Sequence, residues 1–286
     1  MTIKFDLDSD YRQALPPNGA AFLQEVAALL DDESVVSVLL FGSVVTGEAT
    51  AISDIDLLVV LGDGVSETDR EAVRSEIVRL AEKHLDIEQE RGNQVEHVVD
   101  RATGMFRSGF VVTESDIECG RFHDIFNTSR LAYALAPWRT VLRAVFTQTE
   151  AIYGPRVAPD WSGVTPPEAR RGRELARSAG MSTLLAAAQL VYAFVSPRAV
   201  RYAMEAHKWT LYNCAFHLTG SRAPTLAAAS DTVPGIARLD KWLLDLRETP
   251  RVDRLYLLFV APYVALVHVR TLLAVGDPND DARDHD

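Results

Sequence analysis

Leu39-Leu40-Phe41-Gly42-Ser43, followed after a short loop by Ser53-Asp54-Ile55-Asp56-Leu57-Leu58-Val59-Val60, is the stretch of this chain that decides its fold. It predicts an apolar strand, a Gly-Ser turn, and a second apolar strand that runs from Asp54 to Leu61. On a strand, residues two apart point to the same face. Asp54 and Asp56 are therefore expected side by side, while the apolar residues between and after them enter the core.

Two carboxylates held this close repel each other unless a cation lies between them. Hard divalent ions such as Mg²⁺ take oxygen ligands, so Asp54 and Asp56 are predicted as metal ligands and as catalytic residues. Gly42 allows a close approach of the backbone, and Ser43 adds a hydroxyl and a backbone N–H where the chain leaves the first strand. Both features suit a bound phosphate. A phosphate-binding turn beside paired metal ligands predicts phosphoryl or nucleotidyl transfer.

The pair Gly42 and Ser43, the later Gly47, and the run from Ser53 to Leu57 resemble the signature of polymerase-beta-type nucleotidyltransferases. Their spacing looks most like the small-molecule branch, which includes aminoglycoside adenylyltransferases and the minimal nucleotidyltransferases of toxin–antitoxin pairs. The resemblance implies an α+β fold, in which a mixed sheet with helices is followed by an all-helical bundle. It also implies Mg²⁺ as cofactor, ATP as donor, and Gly42, Ser43 and Ser53 as nucleotide-binding residues.

Two-metal nucleotidyl transfer usually draws on a third carboxylate from a neighbouring strand. Glu96 lies between apolar residues on a strand predicted over Gln94 to Val99. It resembles the glutamate that acts as the base on a similar Val-Glu-x-Val-Val strand of aminoglycoside adenylyltransferases, and the resemblance implies the same catalytic role here. Glu88 and Glu118 are the alternatives for the third carboxylate.

The composition is that of a globular protein long enough for two domains. The 286 residues carry a net charge of −11, with 48% hydrophobic and 24% charged residues, so no overall basic field favours nucleic acid. An acidic surface attracts cationic small molecules, which suits an aminoglycoside-like acceptor. The two cysteines, Cys119 and Cys214, are far apart in the sequence and indicate neither a disulfide framework nor a zinc site. This use of cysteine fits a protein of the reducing cytoplasm.

The most apolar part of the chain runs from Leu255 to Val267. At 13 residues this run is too short to cross a bilayer and is interpreted as a buried helix. The first residues do not form the apolar segment of a signal peptide. We therefore expect a soluble, cytoplasmic enzyme without a membrane partner.

A segment rich in Pro and Gly, residues 155–167, marks the predicted domain boundary. Residues 1–155 are predicted as the catalytic domain, residues 168–276 as a helical substrate-binding domain, and residues 277–286 as an acidic, disordered tail. The resemblance implies that the active site lies between the two domains.

Apolar periodicity predicts the elements within these domains. In the first, a strand is expected at Val35–Phe41, another around residues 110–113, and helices over Asn18–Leu30 and Trp138–Ile152. In the second, four long helices are expected, with a loop from Ser221 to Gly235.

Arg201, Glu205 and Lys208 are predicted to share one helix face. One interpretation places Arg201 and Lys208 on the triphosphate, because basic residues of the helical domain have this role in the resembled adenylyltransferases. The other is a solvated face with an intrahelical ion pair. Gln189 stands where those enzymes carry an arginine, and Arg201 with His207 has the Arg-x5-His spacing of helical RNases of the HEPN type.

Together these features predict a Mg-dependent nucleotidyltransferase that moves AMP from ATP to a hydroxyl of a small molecule. The expected partners are a nucleoside triphosphate and an acceptor, of which an aminoglycoside-like molecule is the most specific candidate. The alternatives are nucleotidylation of a protein or RNA partner, and a catalytically degenerate nucleotide-binding module.

Overall fold

A computed structural model describes residues 3–30, 33–50, 53–85, 109–128, 130–192, 199–249 and 251–275. The chain divides into two compact units. The first comprises Met1–Ala134 and Leu142–Thr165, and the second comprises Leu135–Val141 and Pro166–Asp286.

The elements up to residue 153 alternate short helices with strands. In chain order they are α1 (Ser9–Ala14), α2 (Gly19–Leu29), β1 (Val35–Phe41), α3 (Ser43–Thr46), β2 (Asp56–Leu61), α4 (Glu67–His84), β3 (Gly109–Thr113), α5 (Glu114–Glu118), α6 (Phe122–Ile125), α7 (Arg130–Leu135), α8 (Trp138–Thr147) and β4 (Glu150–Tyr153).

The four strands form one mixed sheet in the order β3-β2-β1-β4. β1 is antiparallel to both of its neighbours, whereas β2 and β3 are parallel. The register sets Phe41, the last residue of β1, opposite Asp56, the first residue of β2. The Gly-Ser turn and the acidic pair therefore meet at one end of the central hairpin.

Both faces of the sheet are buried, which explains why β1 and β2 read as continuous apolar runs rather than as alternating patterns. One face packs against α2 and α4, where Phe22 and Ile77 are fully buried. On the other face, the rings of Phe110 and Phe126 meet edge to face at 5.4 Å.

The second unit is helical. After a 3₁₀ turn at Pro167–Arg170 its helices are α9 (Arg171–Tyr192), α10 (Ala199–Thr219), α11 (Leu226–Thr232), α12 (Ala237–Glu248) and α13 (Arg254–Val275). The long helices α9, α10 and α13 pack against one another. α10 ends at Thr219 and is followed by Gly220, whose φ of 76° is the left-handed conformation that glycine adopts without strain.

Polar side chains join these helices inside the bundle. The Ser178 hydroxyl on α9 lies 2.9 Å from His268 Nε2 on α13 and accepts a hydrogen bond of 3.0 Å from Asn213 Nδ2 on α10. Glu174, which is fully buried, pairs with Arg139 and also accepts the backbone N–H of that residue. Each of these buried groups has a partner, as the low dielectric of an interior demands.

The predicted α+β class, with a mixed sheet followed by helices, is confirmed. Strand β2, however, begins at Asp56 rather than Asp54. The end of the predicted helix Trp138–Ile152 is also wrong, because residues 150–153 form β4. Pairing with β1 outweighs local helical periodicity there, and it carries Ile152 into the core.

The predicted loop Ser221–Gly235 contains the helix α11. The Thr225 hydroxyl caps it by accepting the Ala228 N–H at 3.1 Å, and Leu226 and Ala229 are buried beneath it. Helix α13 also differs from the fully buried helix that was expected, since only one of its faces is packed. The strand predicted over Gln94–Val99 lies outside the described residues.

Candidate active site

A glycine and a carboxylate lie close together at the end of the central hairpin. Gly42 has φ 73° and ψ −147°, a conformation that side chains rarely adopt, and a Cβ built on it would overlap Asp56 Oδ2. The sequence predicts that Gly42 allows another group to come close to the backbone. In the structure, the group that lies against Gly42 is the Asp56 carboxylate. The backbone at Gly42 therefore fixes where this carboxylate lies.

The two predicted metal ligands flank a fully buried residue. Asp54 and Asp56 are partly exposed, whereas Ile55 between them and Leu57 after them are completely buried. This alternation persists although Asp54 precedes the strand, and it turns both carboxylates away from the core. Two hard oxygen donors on one side of the chain form a donor set that fits Mg²⁺. Within the described ranges, no group of three or more His, Cys, Asp and Glu residues is placed to hold a metal ion.

Ser43 starts the short helical turn α3 directly after Gly42. Its carbonyl accepts the Glu48 N–H at 2.9 Å, and Gly47, with φ 71°, ends the turn. The first N–H groups of any helical turn have no partner within it, so they point outward beside the Ser43 hydroxyl. The turn thus presents N–H donors directly after Gly42, the residue that lies against Asp56.

Ser53 holds the approach to β2 in place. Its hydroxyl accepts the Thr50 N–H at 2.8 Å and lies 3.2 Å from the Thr50 hydroxyl, while its own N–H donates to the Thr50 carbonyl at 3.0 Å. These hydrogen bonds therefore hold Thr50 beside Ser53, the residue immediately before Asp54. The sequence analysis did not single out Thr50.

Of the three candidates for the third carboxylate, Glu96 and Glu88 lie outside the described residues. Glu118 ends α5 and is exposed, and its backbone carbonyl accepts the Asp160 N–H.

The buried acid of this region is instead Asp116, which is 5% exposed. Its two oxygens lie 2.8 Å from Arg70 and 2.8 Å from Arg121, and it also caps the start of α5. Asp116 thus has a structural role, which the sequence alone did not reveal because both arginines come from other elements.

In the second unit, Arg201 is exposed and Lys208 forms an ion pair with Glu205 at 2.6 Å. The Lys208 ammonium also lies 5.7 Å from the centre of the Trp209 ring. The intrahelical ion pair considered from the sequence is therefore present on this face of α10. Whether these two cations bind a nucleotide stays a prediction.

His207 is completely buried and lies 2.9 Å from Asp240 and 3.1 Å from the Tyr256 hydroxyl. Burial lowers the pKa of His207 even though the neighbouring Asp240 carboxylate opposes that shift. A neutral, buried imidazole has no access to a polynucleotide, so the structure argues against the RNase interpretation of the Arg201 and His207 spacing.

Gln189 is also completely buried. Its amide Nε2 donates to the Leu257 carbonyl at 2.6 Å and so joins α9 to α13. At this position the chain therefore uses its side chain to hold two helices together, which is a different use from the nucleotide contact of the arginine in the resembled enzymes.

Comparisons with known proteins agree with this geometry. A family model described as Nucleotidyltransferase domain matches residues 22–123, a range that contains β1, β2 and the acidic pair. A solved structure with a similar fold is the spectinomycin adenyltransferase AAD(9) from Enterococcus faecialis with ATP and spectinomycin. It is 12% identical, with a TM-score of 0.51 over 88% of this chain and 98% of the other. No curated protein sequence matches the chain. The predicted resemblance to polymerase-beta-type nucleotidyltransferases is confirmed.

Proposed function

We propose, from the premise that residues 22–123 form a nucleotidyltransferase domain, that this protein is a cytoplasmic enzyme that transfers AMP from Mg·ATP to a hydroxyl of a small molecule. The observation that carries the proposal is the position of Asp56, whose carboxylate lies against Gly42 at the point where the Gly-Ser turn begins. A phosphate on the turn and an ion on the carboxylate would be immediate neighbours.

Asp54 and Asp56 would hold the metal, because they supply two oxygen donors on one side of the chain. When bound, Mg²⁺ neutralises charge on the phosphates and orients them for in-line displacement. Ser43 and the N–H groups of its turn would hold the terminal phosphates, away from the α-phosphorus that is attacked. Ser53 would act by fixing the turn that positions Asp54.

We propose Glu96 as the base that accepts the proton of the acceptor hydroxyl, with Glu88 and Glu118 as the alternatives. The new bond joins the acceptor oxygen to the α-phosphorus, and the bond to pyrophosphate breaks. The proton passes to the glutamate, so charge and atoms balance.

Two facts support ATP and a small cationic acceptor. The solved structure with a similar fold contains ATP and spectinomycin. In addition, a net charge of −11 favours the approach of a cationic molecule and disfavours a polyanion. An aminoglycoside-like acceptor fits both. Arg201 and Lys208 stay proposed contacts of the nucleotide's phosphates.

The experiment that tests this proposal is calorimetric titration of the protein with ATP, GTP, CTP and UTP, each with and without Mg²⁺. We expect Mg-dependent binding of ATP that is lost in Asp54→Asn and Asp56→Asn, with unchanged melting temperatures. Asp10→Asn, at an exposed position of α1, is the control and should bind as the native protein does.

Turnover with labelled ATP and a panel of aminoglycosides then identifies the acceptor. Native-like turnover in Asp54→Asn or Asp56→Asn would refute the metal assignment. Mg-independent binding of ATP without any transfer would favour the degenerate module instead.

A further inference from the structure

Helix α13 leaves one long apolar face uncovered. Six large apolar side chains on this helix, each between 43% and 78% exposed, define what we call the α13 face: Leu255, Leu258, Phe259, Val269, Leu272 and Leu273. The opposite side of the helix packs inside the bundle through residues such as Tyr256 and Val264. Together the six side chains expose on the order of 600 Å², the upper end of the range for the largest apolar patch of an ordinary monomer.

A membrane does not suit this face. By length and composition alone α13 could cross a bilayer, but its packed side carries His268, which is hydrogen-bonded to Ser178, and the helix also contains Arg270. The Arg270 guanidinium donates to the carbonyls of Pro234 and Gly235, so it is committed to its own unit. The sequence after the helix contains five aspartates in residues 277–286, which an anionic lipid surface would repel.

The spacing of the side chains suits a second copy of the same chain. Leu255 and Leu273 each lie nine positions from residue 264, and Phe259 and Val269 each lie five positions from it. An antiparallel pair with a two-fold axis level with residue 264 therefore sets Leu255 against Leu273 and Phe259 against Val269. Such an isologous contact repeats the same apolar pairs on both sides of the axis.

The middle of the α13 face is small, which favours the close approach of two helices. Pro262 and Ala265 are the exposed residues near the axis, and neither carries a long side chain. Antiparallel helices also oppose their dipoles, so the pairing adds no electrostatic cost along the axis. The six side chains alone supply about three quarters of the roughly 800 Å² that each partner buries in an interface of standard size.

We propose that the α13 face is the interface of a two-fold symmetric homodimer, in which α13 pairs in antiparallel orientation with α13 of a second copy. The dimer is independent of the chemistry proposed for the first unit. A second copy is inferred as the occupant because four of the six apolar positions, Leu255, Phe259, Val269 and Leu273, are symmetric about residue 264.

Sedimentation velocity of the full chain over a concentration series tests the proposal. We expect a dimer that dissociates on dilution, and a shift of at least tenfold toward the monomer in Leu258→Lys and in Leu273→Lys. Ala72→Lys, at an exposed position of α4, adds the same charge elsewhere and should leave the dimer intact. A native protein that stays monomeric, or a dimer that ignores both lysines, would overturn the proposal. Flotation of the native protein with anionic or neutral vesicles would overturn it in favour of lipid.

Cross-linking tests the register without disturbing the packing. In a Cys119→Ser background, which removes the exposed native thiol, Ala265→Cys should link to itself with a short bis-maleimide. Leu273→Cys alone should not, because two copies of that residue would lie about 27 Å apart along the axis. Mixing Leu255→Cys chains with Leu273→Cys chains should restore the link. Equal linking at residues 265 and 273 would overturn the antiparallel arrangement.

Discussion

The interiors of the two units are built in different ways. The core of the first unit is almost entirely apolar, and the buried polar side chains that the structure describes there are Ser37, Asp116 and Thr149. The second unit buries a network of histidines, acids, amides and hydroxyls between its helices, including Glu174 and Asp240. An apolar sheet core is specified by pattern and shape, whereas a bundle held by polar pairs depends on every partner being present.

The largest effect we expect is a loss of turnover from a substitution in the first unit that leaves the interiors of both units intact. Gly42→Ala should lower turnover by at least 100-fold, because its methyl group overlaps the position of Asp56 Oδ2. Gly47→Ala is the matched control, since Gly47 also has positive φ but no atom lies within 4 Å of its added Cβ. Gly47→Ala carries a backbone penalty of about 1–2 kcal/mol, and Gly42→Ala one of about 1–3 kcal/mol because its ψ of −147° lies in a region that is essentially restricted to glycine. Kinetics with a thermal melt separate the two effects, and equal loss of turnover in both variants would contradict the assignment.

The largest effect on stability should come from the polar network of the second unit. Asp240 is 2% exposed, lies 2.9 Å from His207 Nε2 and accepts a hydrogen bond from the Tyr263 hydroxyl. Asp240→Ala removes the carboxylate that both His207 Nε2 and the buried Tyr263 hydroxyl contact, and we expect the free energy of unfolding to fall by roughly 4 kcal/mol. Asp245→Ala removes an exposed acid from the same helix and should cost less than about 1 kcal/mol. Denaturant unfolding of both variants measures the difference, and equal costs would show that the network adds nothing.

Acid should destabilise the second unit more than the first. Burial lowers the pKa of His207, His217 and His268, and that of His217 falls from 6.5 to about 4. Between these two values the unfolded chain binds protons that the folded chain does not, so stability is complete above pH 6.5 and declines as the pH falls toward 4. His217 alone accounts for about 3 kcal/mol of the free energy of unfolding that is lost over this pH range.

Hydrogen exchange at pH 7 and pH 4.5 should therefore show protection lost in α10 before β1. His217→Gln should flatten this dependence, whereas His123→Gln, at an exposed position, should leave it unchanged. Loss of protection in β1 at the higher pH would contradict the comparison.

The smallest effect concerns the surface of the second unit. Lys208→Met removes the ion pair with Glu205, and we expect a change below about 1 kcal/mol in the free energy of unfolding. Calorimetry with Mg·ATP on the same variant sharpens the comparison. A Kd raised tenfold or more would give Lys208 the proposed role with the nucleotide, and an unchanged Kd would leave it with the ion pair alone. Glu205→Gln breaks the same pair and is the control.

The sequence predicts the central strands of the first unit better than the hydrogen bonds of the second. A buried strand needs only a local apolar run, whereas those hydrogen bonds join residues that are far apart in the chain. β1 has the predicted bounds, because a strand buried on both faces needs only a continuous apolar run. The spacing predicts Gly42 and Asp56 as site residues, and the structure adds the contact between them. The bundle's hydrogen bonds join residues as far apart in the chain as Ser178 and His268, and no local sequence pattern predicts such a pair. β4 was missed for the same reason, since four residues become a strand only when β1 is beside them.

The position of β4 at one edge of the sheet has a consequence for the order in which the chain is made. β1 and β2 emerge from a ribosome within about 30 residues of each other, but the strand that completes the other side of β1 follows more than 100 residues later. The Ile152 carbonyl also accepts the Asp6 N–H, so this hydrogen bond of the first residues cannot form until β4 has been made. Until residue 153 has been synthesised, the growing chain displays a bare apolar edge that other strands can pair with. Nascent chains that end before β4 should for that reason associate with one another, and those that extend past Tyr153 should not.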